Sequence, residues 1–156
     1  MAQKTSWDGA VLSESDINTY LMGEGGGWST WTPTLAQSGT VTATVNHAVY
    51  GRWGRMIVAI FRLTVTGSGS GGSAVTVSAP VTAARTFMTC GQGGIYDSSA
   101  TLNYTGNILF NSTTLIDFRL HGSGVAANPQ LGVTGFTAGL ASGDIVTGSF
   151  IYEAAS

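Results

Sequence analysis

Charge is what this chain has least of. Asp, Glu, Lys and Arg together make up 9% of its 156 residues, about a third of the share usual in soluble domains. Eight acids stand against six bases, a formal net charge of −2, and the bases are scattered from Lys4 to Arg119. No basic stripe exists on which a nucleic acid could be held by phosphate neutralisation. Solubility normally leans on interspersed ions, so a surface of hydroxyls, backbone and small apolar groups suits a chain packed among neighbours.

Other absences narrow the chemistry. Cys90 is the one cysteine, which leaves no intrachain disulfide and no thiolate metal cage. In Phe-Met-Thr-Cys-Gly it reads as a small buried apolar residue. His47 and His121 are the only imidazoles, and neither has an acidic or histidine neighbour at ligand spacing; no metal centre and no catalytic triad is expected. No stretch approaches the ~18 apolar residues of a membrane span, and the first residues lack a basic flank followed by an apolar run. Neither membrane insertion nor an export signal is expected.

Two patterns invite an enzymatic reading and fail it. Gly67-Ser-Gly-Ser-Gly-Gly72 contains Gly-x-Gly-x-x-Gly, but a dinucleotide site needs a helix next, whose N-terminus holds the pyrophosphate. Ala74-Val-Thr-Val follows and reads as a strand, so a hairpin loop and no cofactor are expected. Asp97, Asp117, Asp144 and Glu153 could supply the carboxylate pair of a glycosidase, which needs two acids at a defined separation. Asp97 before Ser-Ser and Asp144 after Ser-Gly read instead as turn residues. The chain is not expected to be an enzyme.

What is present divides into three parts. Residues 1–22 carry one helix signal, with Ser13 as N-cap, Asp16 at N3, and Leu12 and Ile17 as a hydrophobic staple. Ile17, Tyr20 and Leu21 share a face of that short helix, which is marginal alone and must dock on something. This segment reads as an anchoring arm, the alternative being that it docks on its own domain. Residues 23–27, Gly-Glu-Gly-Gly-Gly, form a flexible joint. Residues 28–156 are β throughout, one domain long enough to bury a core. Val41, Ala43 and Val45 alternate with Thr in a strand ending near Tyr50, Met56 to Val65 reads as a central strand covered on both sides, and Ala74 to Ala79 alternates before Pro80. Further strands are expected at 86–90, 100–104, 108–110, 114–120, 131–136 and 145–152. Roughly nine strands with Gly, Asn and Asp between them predict a β-sandwich or jelly roll behind the helical arm.

The order Trp28-Ser-Thr-Trp-Thr-Pro-Thr-Leu, alternating strand, Gly-Arg-Trp-Gly turn, apolar strand, Gly/Ser loop and strand closing at Pro80 resembles a β-module of bacteriophage virion proteins, chiefly tail fibres and minor tail proteins. Ala10 to Met22 looks like a segment that opens many of them. The likeness fades from Arg85 onward. It implies a structural role for Trp28 and Trp31 and assembly into homo-oligomers, commonly trimers, on the virion exterior, after synthesis in the bacterial cytoplasm. The expected function is a small tail-tip or fibre protein contributing to host-surface attachment. A capsid decoration or head-fibre protein bound to the major capsid protein is the alternative, and a carbohydrate-binding β-sandwich module is a second one. Expected partners are other copies, another virion protein gripped by Leu12, Ser13, Asp16, Ile17, Tyr20 and Leu21, and a host glycan or protein. Candidate surface contacts are Trp53, an aromatic between two arginines, with Tyr96 and Asp97 in a turn.

Overall fold

The computed structural model describes residues 27–121 and 139–156. The helix signal of the arm, its six named residues and the expected strand 131–136 lie outside them. The described residues form ten strands: β1 Ser29–Thr30, β2 Leu35–Gln37, β3 Thr40–Val41, β4 Ala43–Trp53, β5 Met56–Val65, β6 Val75–Ser78, β7 Thr89–Asp97, β8 Leu102–Phe110, β9 Leu115–His121 and β10 Ile145–Glu153. All pairings are antiparallel, in the single-sheet order β1-β4-β5-β10-β7-β8-β9-β6-β2-β3. The fold is thus all-β, as the two-residue periodicity indicates, and the strands form one continuous sheet that curls.

The chain itself stitches the two edges of that sheet. β1 pairs with β4, and a few residues later β2 pairs with β6 at the far side. Between them Trp31 N–H donates to Ala48 O at 3.2 Å, while its indole N–H donates to Ser78 O at 3.4 Å. Only Thr42 separates β3 from β4, and its carbonyl accepts from Thr66 and Gly67 N–H at 2.9 and 3.1 Å. Part of the edges that would otherwise offer bare ladder groups to other chains is covered in this way.

Alternation along the strands fills the interior. Ile57, Ala59, Phe61, Leu63 and Val65 of β5 face inward with Val146, Phe150 and Tyr152 of β10, Ile108 and Phe110 of β8, and Ile116, Phe118 and Leu120 of β9. Aromatic rings meet edge-on through the middle: Phe61 lies 6.2 Å from Trp31 and 6.3 Å from Phe118 and Phe150. A row of glycines makes room for them. Gly148, Gly93 and Gly106 sit directly across from one another on β10, β7 and β8, flanked by Phe61 and Leu120. A methyl at Gly148 would stand 2.6 Å from Ile108 Cδ1, and one at Gly93 would stand 2.7 Å from Phe118 Cε1. Backbone without side chains lets the sheet bend closely over these rings.

Five sequence expectations are corrected. The strand expected to end near Tyr50 runs on to Trp53, and the turn is Gly54-Arg55, where Gly54 at φ +60° takes the first place of a two-residue hairpin loop. The 86–90 strand lies instead at Thr89–Asp97, and the two strands expected at 100–104 and 108–110 are one, Leu102–Phe110. The Gly67–Gly72 loop is no hairpin, because β5 and β6 are not neighbours in the sheet; it carries the chain from one half to the other and leads into a strand. Finally, β5 is central but covered on one face only: Met56, Ile60 and Arg62 point outward and are exposed.

Candidate functional site

The outer face of β4, β5, β10, β7 and β8 gathers two adjoining surfaces. The first is apolar. Across the sheet, Gly51 pairs with Val58 and Val58 with Ile151, while Trp53 pairs with Met56. The Trp53 ring folds back over Gly51, where an added methyl would meet it at 2.8 Å. Ring and aliphatic chains make a contiguous face that water reaches: Trp53 is 39% exposed, Met56 47%, Ile60 39% and Ile151 55%. Contiguous apolar surface on a folded chain marks an interaction site more often than an accident of composition.

The second surface is a polar groove of about 660 Å³ beside it. Gly94 forms its floor. Thr147 and Thr105 flank Gly94 on the neighbouring strands, and Arg62 lies one strand beyond Thr147. Gln92 pairs with Asn107 on one side of this row, and Tyr96 pairs with Asn103 and Ile145 on the other. With no side chain at Gly94, the grid of outward residues has a hole at its centre.

The candidate contacts divide between these surfaces. Trp53 belongs to the apolar face and Tyr96 to the groove. Asp97 is buried, its Oδ1 accepting from Ser99 N–H, Ser99 hydroxyl and Ala100 N–H at 3.0, 2.7 and 3.0 Å. Those bonds, Ala100 N–H first, hold its carboxyl below the usual range, and the side chain serves the turn rather than a partner. Asp144 is buried too and ties two turns together, accepting from Ser98 N–H and hydroxyl, both at 2.9 Å, and from Ala141 N–H at 2.9 Å.

Among the described residues the remaining titratable groups show no paired acids and no activated nucleophile. Asp117 is buried on β9 and ion-paired with Arg119 at 3.0 Å, and burial raises its carboxyl. Burial pushes the half-buried Cys90 thiol up to about 12, and Sγ donates to Ile108 O at 3.5 Å, so the thiol stays protonated at neutral pH. Among the described residues no group of three or more His, Cys, Asp or Glu side chains could hold a metal ion.

Sequence reasoning missed the groove residues Arg62, Gln92, Asn103 and Asn107, which lie on three different strands. It also missed Phe87, 77% exposed at φ 57°, a backbone state that costs an ordinary residue about 1 kcal/mol or more. It is held there by Phe87 N–H donating to Phe110 O at 2.7 Å. Comparison with family models, with curated proteins and with solved structures returns no match.

Proposed function

We propose that the chain is a bacteriophage virion structural protein, an oligomeric tail-tip or fibre component that contributes to host-surface attachment and acts by binding rather than turnover. The curled sheet, whose halves face one another across the rings as the layers of a sandwich do, is its body. The observation that carries this reading is the bare apolar face of Trp53, Met56, Ile60 and Ile151 on a chain with only 9% charged residues. The resemblance of Trp28 to Ala84 to phage tail modules supplies the setting.

Other copies of the chain are the occupants of that face. Fully burying such a side chain stabilises by about 1.5–3 kcal/mol, and half of each is already buried. One face therefore contributes only a few kcal/mol, less than the cost of bringing two free proteins together. A closed ring of copies, in which every copy makes the contact and the arm holds the ring in place, multiplies the gain. Pairing of Ser29 with Tyr50 and Thr30 with Val49 also directs Trp28 toward the Trp53 end of β4.

Sedimentation velocity of the purified chain tests the assembly. A concentration-dependent oligomer is expected; a monomer at all concentrations overturns it. A chain lacking residues 1–22 is expected to keep its β circular dichroism and to fail to enter particles in a complementation assay. Normal incorporation would remove the arm from the proposal.

A further inference from the structure

We infer that the groove around Gly94 is a binding site for an acidic saccharide, a hydroxyl-rich chain bearing a carboxylate that meets Arg62. The inference names the ligand class for the attachment role above and rests on that reading only for its biological setting.

Four features of the groove carry it. Its volume, about 660 Å³, falls within the roughly 300–1,000 Å³ of small-ligand sites. From Arg62 on β5 to Asn107 on β8 it crosses three strand spacings, about 14 Å, the reach of a short oligosaccharide rather than a single small metabolite. Its polar lining is rich in amides: Gln92, Asn103 and Asn107 are exposed and make no side-chain hydrogen bond to other described residues. An amide offers donors and an acceptor together, which is what vicinal hydroxyls require. Tyr96 adds a half-buried ring at the rim, whose apolar face can cover a sugar's C–H face while the phenol stays wet.

Arg62 sets the charge of the ligand. Its guanidinium has no ion pair among the described residues, and none of the groove's lining residues is Asp or Glu. A lone cation over a polar trough favours a carboxylate, which it can take in two parallel hydrogen bonds. The same lining explains why other ligands fit poorly. One cation cannot neutralise a nucleic-acid backbone, an apolar ligand would strand the amides without partners, and a peptide adding a strand needs a sheet edge rather than a face. Without a carboxylate in the lining, the two-acid hydrolysis of a glycosidic bond has no residues there, so the saccharide is held intact.

Calorimetric titration of the full-length protein tests this with a panel of uronate- and neuraminate-containing oligosaccharides, their neutral counterparts, and a glycerol-phosphate oligomer. The expected result is millimolar or tighter binding of at least one carboxylated saccharide. Its neutral counterpart and the phosphate oligomer are expected to bind about tenfold more weakly or not at all. Arg62→Gln should abolish the preference for the charged sugar, whereas Asn107→Ala and Tyr96→Ala should weaken charged and neutral sugars alike. All three residues point to solvent or to the rim, and unchanged far-ultraviolet circular dichroism confirms that the variants fold. Absence of binding across the panel, equal binding of the phosphate oligomer, or an Arg62→Gln variant with unaltered preference overturns the inference. Binding by a protein that proves absent from particles would refute the attachment role and leave the groove standing.

Discussion

Replacing Gly148 by alanine sets two known effects against each other. Alanine narrows the freedom of the unfolded chain, which by itself favours the folded state by about 0.4–1 kcal/mol. In the folded state the new methyl stands 2.6 Å from Ile108 Cδ1 and 2.7 Å from Phe61 Cε1, far inside an ordinary contact of about 3.5–4.0 Å. Phe61 has no room to withdraw, because Trp31, Phe118 and Phe150 hold it edge-on at 6.2, 6.3 and 6.3 Å. Overpacking of a filled interior costs about 1–3 kcal/mol, and two contacts this short put Gly148 in the upper half of that range, so the clash wins by about 1–2.5 kcal/mol and Tm should fall by about 2–10 °C in a chain of this size. Ile108→Val removes the atom in closest contact and alone costs about 0.5–1.5 kcal/mol. Urea unfolding followed by tryptophan fluorescence, on the wild type, both single variants and the double variant, reads the coupling. The double variant should be more stable than the sum of the singles by at least about 0.5 kcal/mol. A Gly148→Ala protein as stable as the wild type, or strict additivity in the cycle, would refute the packing argument.

Three further outcomes follow from other contacts. The Tyr152 hydroxyl donates to Val81 O at 2.7 Å and accepts from Val81 N–H at 3.1 Å, so Tyr152→Phe should cost about 1–2 kcal/mol by leaving that backbone unpaired, measured by thermal melting. Asp97→Asn keeps the acceptor oxygen and removes the charge. Because folding depresses the Asp97 carboxyl, its contribution is full above the unfolded carboxylate pKa of about 3.9 and is lost as pH falls through the lower folded value. The stability gap between wild type and variant should accordingly be largest near neutrality and close below about pH 4, as read by denaturant midpoints across pH. Ile60→Lys with Ile151→Lys should reduce self-association about tenfold or more while changing monomer stability by no more than about 0.5 kcal/mol per site, since both side chains already face water; sedimentation against denaturant melts separates the two.

The apolar strands were legible in the sequence and the glycine-rich ones were not. Met56–Val65 lies where the β-branched run places it, and Ile145–Glu153 differs from expectation by one residue. β7 and β8 were shifted or split because Gly91, Gly93, Gly94 and Gly106 look like chain breakers. In the fold they are strand interior: Gly93 lies against Phe118, Gly91 against Phe150, Gly106 against the Arg119 backbone, and Gly94 floors the groove. No local pattern states this, since the groups that crowd those glycines belong to other strands. The groove was hidden for a related reason. β10, near the end of the chain, inserts between β5 and β7, and only that long-range pairing brings Arg62 beside Thr147 and Gly94. Tyr96 could be singled out from its turn sequence, whereas its partners Gln92, Asn103 and Asn107 carry no signal until strand order is known. Asp97 and Asp144 show the reverse, their neighbouring Ser and Gly announcing the turns that bury them.

Quantitative labelling of purified phage particles, with antibody against the curled-sheet body and gold detection in the electron microscope, addresses the proposed role most directly. Gold at the tail tip or fibres, at a few copies per particle, is the expected result. Hundreds of copies over the head would move the protein to the capsid shell, and particles carrying none would contradict a structural role in the virion altogether.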